Sequence, residues 1–249
     1  MRSRGKKEHS LTRNLAILRP PSLPAPRSNK PHNQPETECE VSPEDRKARS
    51  EALLKERGIP FLDSLPCVES EEEASTQAVE EVGKRIICLF CVSGTGFEPD
   101  DSAFIDYLKE NDFWQYLSRQ EATFLSNPQG HEQAQIKASW QMEALYFLLW
   151  AVKVVPELPF PIDQSSSNEF IESIPKCDES PWPFIRSLQL RPLPEILDAS
   201  DLIYRLHWAT RHYGKKVNVN QEVVQEWHHA VNWLTNYDGE GWDWVATDT

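Results

Sequence analysis

No disulfide framework is visible in this chain. Its five cysteines, Cys39, Cys67, Cys88, Cys91 and Cys177, are scattered over 249 residues. Secreted disulfide scaffolds are short and cysteine-dense, so a reduced, cytoplasmic setting is expected. No charged start is followed by a short apolar stretch, so no secretory signal is visible. Glycine is scarce, at nine residues, and there is no phosphate-cradling Gly-rich loop, nucleophile elbow or zinc-protease helix. No segment alternates polar and apolar residues for a convincing strand length. No apolar run reaches the roughly 20 residues that span a bilayer.

Charge of one sign is also short over most of the chain. The formal net charge is −13, yet residues 1–35 hold eight Lys or Arg against one acid, Glu8. The remainder is strongly acidic. An acidic body repels nucleic acid and anionic membrane, whose binding runs on basic patches. The expected partner is therefore neither nucleic acid nor membrane. A protein partner, or one that is basic, cationic or zinc-bearing, stays open.

The first 41 residues read as a basic, disordered tail. Pro20, Pro21, Pro24, Pro26, Pro31 and Pro35 break any helix there. Little apolar surface is available to offset the entropy of ordering. Order is expected from Ser42, giving a folded unit over 42–249. Ser42-Pro43-Glu44-Asp45 reads as an N-cap, a proline at the first helical position and acids in the first turn. That helix runs to Arg57. Ser70 with three glutamates opens a second, which continues through Val79, Val82, Ile86 and Leu89 and ends near the Gly94-Thr95-Gly96 turn. A short helix ends near Glu110, and Ser118-Arg119-Gln120-Glu121 is a capping box for another.

The centre is Ala138–Val155, ASWQMEALYFLLWAVKVV, stopped by Pro156 and beginning as early as His131. From Ala144 to Val152 every residue is apolar, and a helix apolar all round is buried or in a membrane. Glu143 and Lys153 bracket the run too closely for a span. Residues 156–194, rich in proline and serine, read as a long connection with one helical turn near Asn168–Ser173. Two helices close the chain, Ala199–Tyr213 ending at Gly214, and Gln221–Asn236 capped by Asn220.

Chemistry-bearing residues are few. Cys88-x-x-Cys91 lies late in an apolar helical run, where the field that activates a redox thiol is absent, and reads as core packing. Glu222, Glu226, His229 and Trp233 share one helix face. Glu226-x-x-His229 has the spacing used by di-iron bundles, but no second such pair exists. Asp201 and Arg205 at i, i+4 can pair, in a stripe with Trp208 and His212. A short link makes the last two helices an antiparallel pair. Beside that seam a cluster of Glu143, Arg205 and a histidine is expected, because a carboxylate entering an apolar run needs a partner. His207 or His228 would titrate near neutrality there.

Many short segments, in order, resemble a bacterial family known as domain of unknown function 4272. Among them are Arg49-Ser50-Glu51, Gly58-Ile59-Pro60, Leu65-Pro66 and Glu80-Glu81-Val82 with Arg85. Trp140 with Glu143-Ala144-Leu145, Asp201-Leu202 with Tyr204-Arg205, and His207-Trp208-Ala209 follow. Glu226, His228, Ala230-Val231-Asn232-Trp233-Leu234 and Trp242-Asp243 close the series. The resemblance covers roughly residues 46–249. It implies one mainly helical domain and supplies no catalytic residues.

The expected fold is a single all-α domain of about seven or eight helices. Two readings of function follow. The first is a non-catalytic cytoplasmic binding or interaction module. The second is an enzyme or small-ligand binder using polar residues of the last two helices. The candidate binding residues are Glu143, Asp201, Arg205, His207, Glu226 and His228, with no cofactor and no metal. A cavity lined by Arg205, His207, Glu226 or His228 would favour the second reading, and a solid core with a flat aromatic-acidic patch the first.

Overall fold

The computed structural model describes residues 41–166 and 170–249. The expected tail, and part of the turn expected near Asn168, lie outside the described residues. Among those described the chain is all-helical, with eight α-helices and no strand. They are α1 (Pro43–Glu56), α2 (Val79–Phe97), α3 (Ala103–Glu110), α4 (Arg119–Ser126), α5 (Glu132–Ala151), α6 (Trp182–Ser187), α7 (Leu193–Tyr213) and α8 (Gln221–Leu234). Short 3-10 turns join them, including Trp242–Trp244 near the C-terminus.

The central helix is α5. Every side chain from Glu143 to Ala151 is buried, because α2 packs along one flank and α8 along another. α8 then packs on α7, and α7 on α1. The small helices α3, α4 and α6 pack on α2. Burial of the run Ala144–Ala151 at such a junction is what an all-round apolar helix requires.

Local signals explain most of the boundaries. The Ser42 hydroxyl accepts the Asp45 N–H, with Pro43 opening α1. Ser118 and Glu121 form the reciprocal capping box of α4. The Asn220 side chain accepts the Glu222 and Val223 N–H groups at the start of α8.

Several boundaries differ from expectation. The central helix stops at Ala151, not Val155. Lys153 takes a left-handed conformation (φ 64°), and Arg191 caps the exposed carbonyls. Its Nε donates to the Trp150 carbonyl (2.7 Å) and its Nη2 to those of Val155 (3.1 Å) and Pro156 (2.7 Å). A cation is favourable at a helix C-terminus.

The segment from Ser70 closes on itself instead of opening α2. The Glu73 carboxylate accepts the Ser70 N–H and hydroxyl at 3.1 and 2.9 Å. The chain then crosses to the end of α8, where the Gln77 N–H donates to the Leu234 carbonyl. Conversely, α2 runs straight through Gly94-Thr95-Gly96. A Cβ at Gly94 would lie 2.5 Å from the Phe104 ring, and one at Gly96 would lie 2.6 Å from the Ser139 backbone nitrogen. These glycines let α3 and α5 approach α2 closely; they do not end it. Helix α6 went unread in the proline-rich connection, and α7 begins at Leu193, not Ala199, because Pro194 sits in its first turn, where proline is tolerated. α8 ends at Leu234 instead of Asn236, which is left-handed (φ 54°).

Candidate functional site

The polar residues expected to gather beside the α7–α8 seam divide into four separate arrangements. The first is the Asp201–Arg205 pair on α7. Both side chains are wholly buried, with Nε–Oδ2 at 2.9 Å and Nη2–Oδ1 at 2.8 Å. Nη2 also donates to the Pro66 carbonyl at 3.1 Å, and Nη1 faces Glu51 Oε1 at 3.6 Å. Arg205 therefore ties α7 to α1 and to the connector that follows it. Arg46 repeats the device one turn away, bonded to Asp198 (2.8 Å) and Glu71 (3.4 Å). Each buried cation is matched by carboxylates.

The second arrangement is a histidine pair. Tyr204 and His207 of α7 both meet His228 of α8. The two Nδ1 atoms are 2.7 Å apart, and both residues are 3% exposed. Such a contact needs a proton on only one Nδ1. Burial pushes His207 down to about 4 and His228 down to about 3. The expectation that either titrates near neutrality is corrected: desolvation outweighs any stabilising carboxylate.

Glu143 forms the third. Its carboxylate accepts the Ser165 N–H and hydroxyl, each at 2.8 Å. The Trp227 indole faces the same carboxylate at longer range, and burial still pushes the carboxyl up. The partner that a buried carboxylate needs is thus a loop serine. The expected cluster of Glu143, Arg205 and a histidine does not form, because Arg205 is paired with Asp201 and Glu143 is bonded to Ser165.

The fourth arrangement lies on the outer face of α8. Glu226 and His229 line a polar notch of about 230 Å³, opposite Lys137 and Gln141 of α5. The C-terminal segment, through Trp242, Asp243, Val245 and Thr247, closes it. That segment is held in three ways. The Asp243 carboxylate accepts the Gln120 N–H at the start of α4 (3.0 Å). The Asn232 amide donates to the Ala246 carbonyl (2.8 Å). The Trp242 ring packs against His229 (4.6 Å), Trp233 (5.4 Å) and the Arg85 guanidinium (4.9 Å). Arg85 is fixed in turn by a buried pair with Glu121, both contacts at 2.7 Å.

Inside the notch two buried polar atoms lack partners. Gln141 Oε1 and His229 Nε2 are buried without a hydrogen bond. Burial pushes the Glu226 carboxyl up to about 7, against the pull of Lys137 and with the push of Glu143. Burial likewise holds His229 below its ordinary range. The Lys137 ammonium is engaged by the Gln120 side chain at 2.8 Å. At neutral pH the walls therefore offer acceptors and a carboxylate poised between its two forms. Among the described residues no group of three His, Cys, Asp or Glu could hold a metal ion.

Of the six candidate residues, Asp201 and Arg205 form one unit and His207 with His228 another. Glu143 stands alone with its loop, and Glu226 belongs to the notch. Sequence reasoning placed His229 on the face of Glu226 but missed Lys137, Gln141 and Asp243. Lys137 and Gln141 at i, i+4 on the polar half of α5 carried the available signal. Cys88 and Cys91 are wholly buried, and burial pushes the Cys88 thiol up to about 12, as core packing implies.

The pattern has a counterpart among known families. A family model described as Domain of unknown function (DUF4272) matches residues 46–245. No curated protein and no solved structure matches the chain.

Proposed function

The chain belongs to the DUF4272 family, whose description names no chemistry, and from the geometry we propose a non-catalytic binding module that holds a small polar ligand in the notch between α5 and α8. One observation carries this reading: two buried polar atoms without partners, Gln141 Oε1 and His229 Nε2, share a cavity wall with Glu226. A buried unsatisfied polar atom costs about 1–3 kcal/mol, and a ligand that supplies the missing hydrogen bonds recovers it. Cavities with a few convergent polar groups and perturbed carboxyls are the default ligand sites of a fold. The absence of any nucleophile paired with a base at this site favours binding over turnover. Free thiols at Cys67, Cys88, Cys91 and Cys177 favour a reducing, cytoplasmic setting. An acidic surface disfavours nucleic acid.

The test is a thermal-shift and NMR screen of the full chain with small polyols, sugars, amines, amino acids and carboxylates. The expected result is at least one compound that raises the melting temperature and shifts the His229 ring signals. The same compound should lose its effect on Gln141→Leu and His229→Phe. Hits that act equally on both variants, or no hit among these classes, would overturn the reading.

A further inference from the structure

Beside the polar notch lies a second hollow, a trough of about 550 Å³ whose walls include Val92, Phe124, Ala134, Ala138 and Trp244. Gln120, Lys137, Gln141 and Asp243 line both hollows, so the two adjoin along a shared wall. The exposed surface of the trough is mainly apolar, although Arg119, Glu121 and His131 also line it, and that of the notch is mainly polar. Trp244 is 73% exposed, although the residues on either side of it, Asp243 and Val245, are anchored or buried. A large aromatic ring held in water by a fixed segment marks surface made for contact.

The charges around the notch discriminate between ligand heads. Glu226 and Asp243 bring two carboxylates against one cation, Lys137. Lys137 donates one hydrogen bond to Gln120 and reaches Glu226 only as a charge at longer range, while Glu226 has no hydrogen-bond partner among the described residues. Gln141 Oε1 adds an unfilled acceptor. An anionic head would face both carboxylates in a half-buried site. A neutral polyol would supply donors but leave Lys137 as the one cation against the two carboxylates. An ammonium carries three donors and a positive charge, and meets both needs.

Resting on the reading of the notch as a ligand site, we infer that the ligand is a small primary amine with an apolar tail, its ammonium against Glu226 in the notch and its tail in the trough beside Trp244. Hydrogen bonds to charged groups are the strong ones, so the head fixes orientation. Each methylene laid on apolar surface adds affinity in proportion to the area it removes from water.

Titration calorimetry of the full chain with n-propylamine, n-pentylamine and n-heptylamine tests this, against n-pentanol and n-pentanoate. The expected order is amine over alcohol over carboxylate, with affinity rising roughly threefold per methylene. Glu226→Gln should weaken n-pentylamine about tenfold or more, whereas Glu222→Gln, one turn away, exposed and outside the notch lining, should leave it unchanged. Lys137→Gln should tighten amine binding by removing a like charge; an anionic ligand would respond in the opposite sense. Trp244→Ala should flatten the dependence on tail length. If the alcohol or carboxylate binds as well as the amine, or only other classes from the polar screen bind, the amine assignment is wrong while the notch remains a ligand site. If nothing in either set binds, both readings fall.

Discussion

Around Arg205 a buried guanidinium meets Asp201 at two points, the Pro66 carbonyl at a third and the Glu51 carboxylate at a fourth. On the outer face of α8, Gln141 Oε1 and His229 Nε2 are buried without a hydrogen bond, and the Glu226 carboxylate beside them has only the longer-range pull of Lys137. Both regions place polar chemistry inside a helical body, and both were candidates from sequence. The difference separates architecture from function. The Asp201–Arg205 pair is charge-matched and wholly buried, with only Nη1 of the guanidinium lacking a hydrogen bond, and its role is to register α7 against α1. On the proposed reading, an unmatched notch costs stability in the free protein and a ligand completes it.

The largest expected effect falls on the matched side. Asp201→Ala leaves the buried Arg205 guanidinium with the Pro66 carbonyl and with Glu51, at 3.6 Å, as its remaining carboxylate. Removing one partner of a buried pair costs about 3–5 kcal/mol, read as a lower midpoint in urea denaturation. Replacing both residues together, Asp201→Leu with Arg205→Met, should recover much of the loss, since the uncompensated charge goes with the pair. A small effect of Asp201→Ala would break the comparison by showing that the pair is not structural.

A second effect sharpens the contrast through pH. His207 and His228 are held below their ordinary value of 6.5, so the unfolded chain takes up protons first. Their contribution is complete above about pH 6.5 and is lost as the pH falls towards 4. Arg211 of α7 and His229 of α8 act in the same sense, since both disfavour a charged imidazole here. Glu226 runs the other way. Its carboxyl is raised from 4.5 to about 7, so the folded state is favoured below pH 4.5 and loses that contribution as the pH rises through 7. Substituting His207 by Phe should remove part of the acid limb and leave the neutral limb alone, as denaturation midpoints between pH 4 and 8 would show.

How much of this was legible beforehand depends on the range of the signal. Caps are local, and Ser42, Ser118 and Asn220 were readable because each partner is three residues away or fewer. The burial of Ala144–Ala151 was readable because a run without a polar face has one solution in water. The Asp201–Arg205 pair was readable at i, i+4. Gly94 and Gly96 misled, since glycine marks a turn and a close helix contact with the same letter, and only the positions of Phe104 and Ser139 decide. The end of α5 was misplaced because its cap, Arg191, lies about 40 residues away. Periodicity put Glu226 and His229 on one face but could not say what that face meets. Its cover, Trp242 to Thr247, has no helical period, and its ties to Gln120 and Asn232 are tertiary. The same limit separated Glu143 from Arg205. Both needed a partner, and sequence alone does not say which partner arrives.

The central claim is that the Glu226 carboxylate is left without a hydrogen-bond partner in the notch while the Arg205 guanidinium is paired with the Asp201 carboxylate. It is tested most directly by the stability of Glu226→Gln measured by chemical denaturation at pH 8 and at pH 4. Glutamine keeps the shape and removes the ionisable proton. The account predicts that the variant is more stable than the parent at pH 8, by on the order of 1 kcal/mol, and indistinguishable from it at pH 4. A variant less stable than the parent at pH 8 would contradict the account, because it would show that the Glu226 carboxylate is already partnered in the fold.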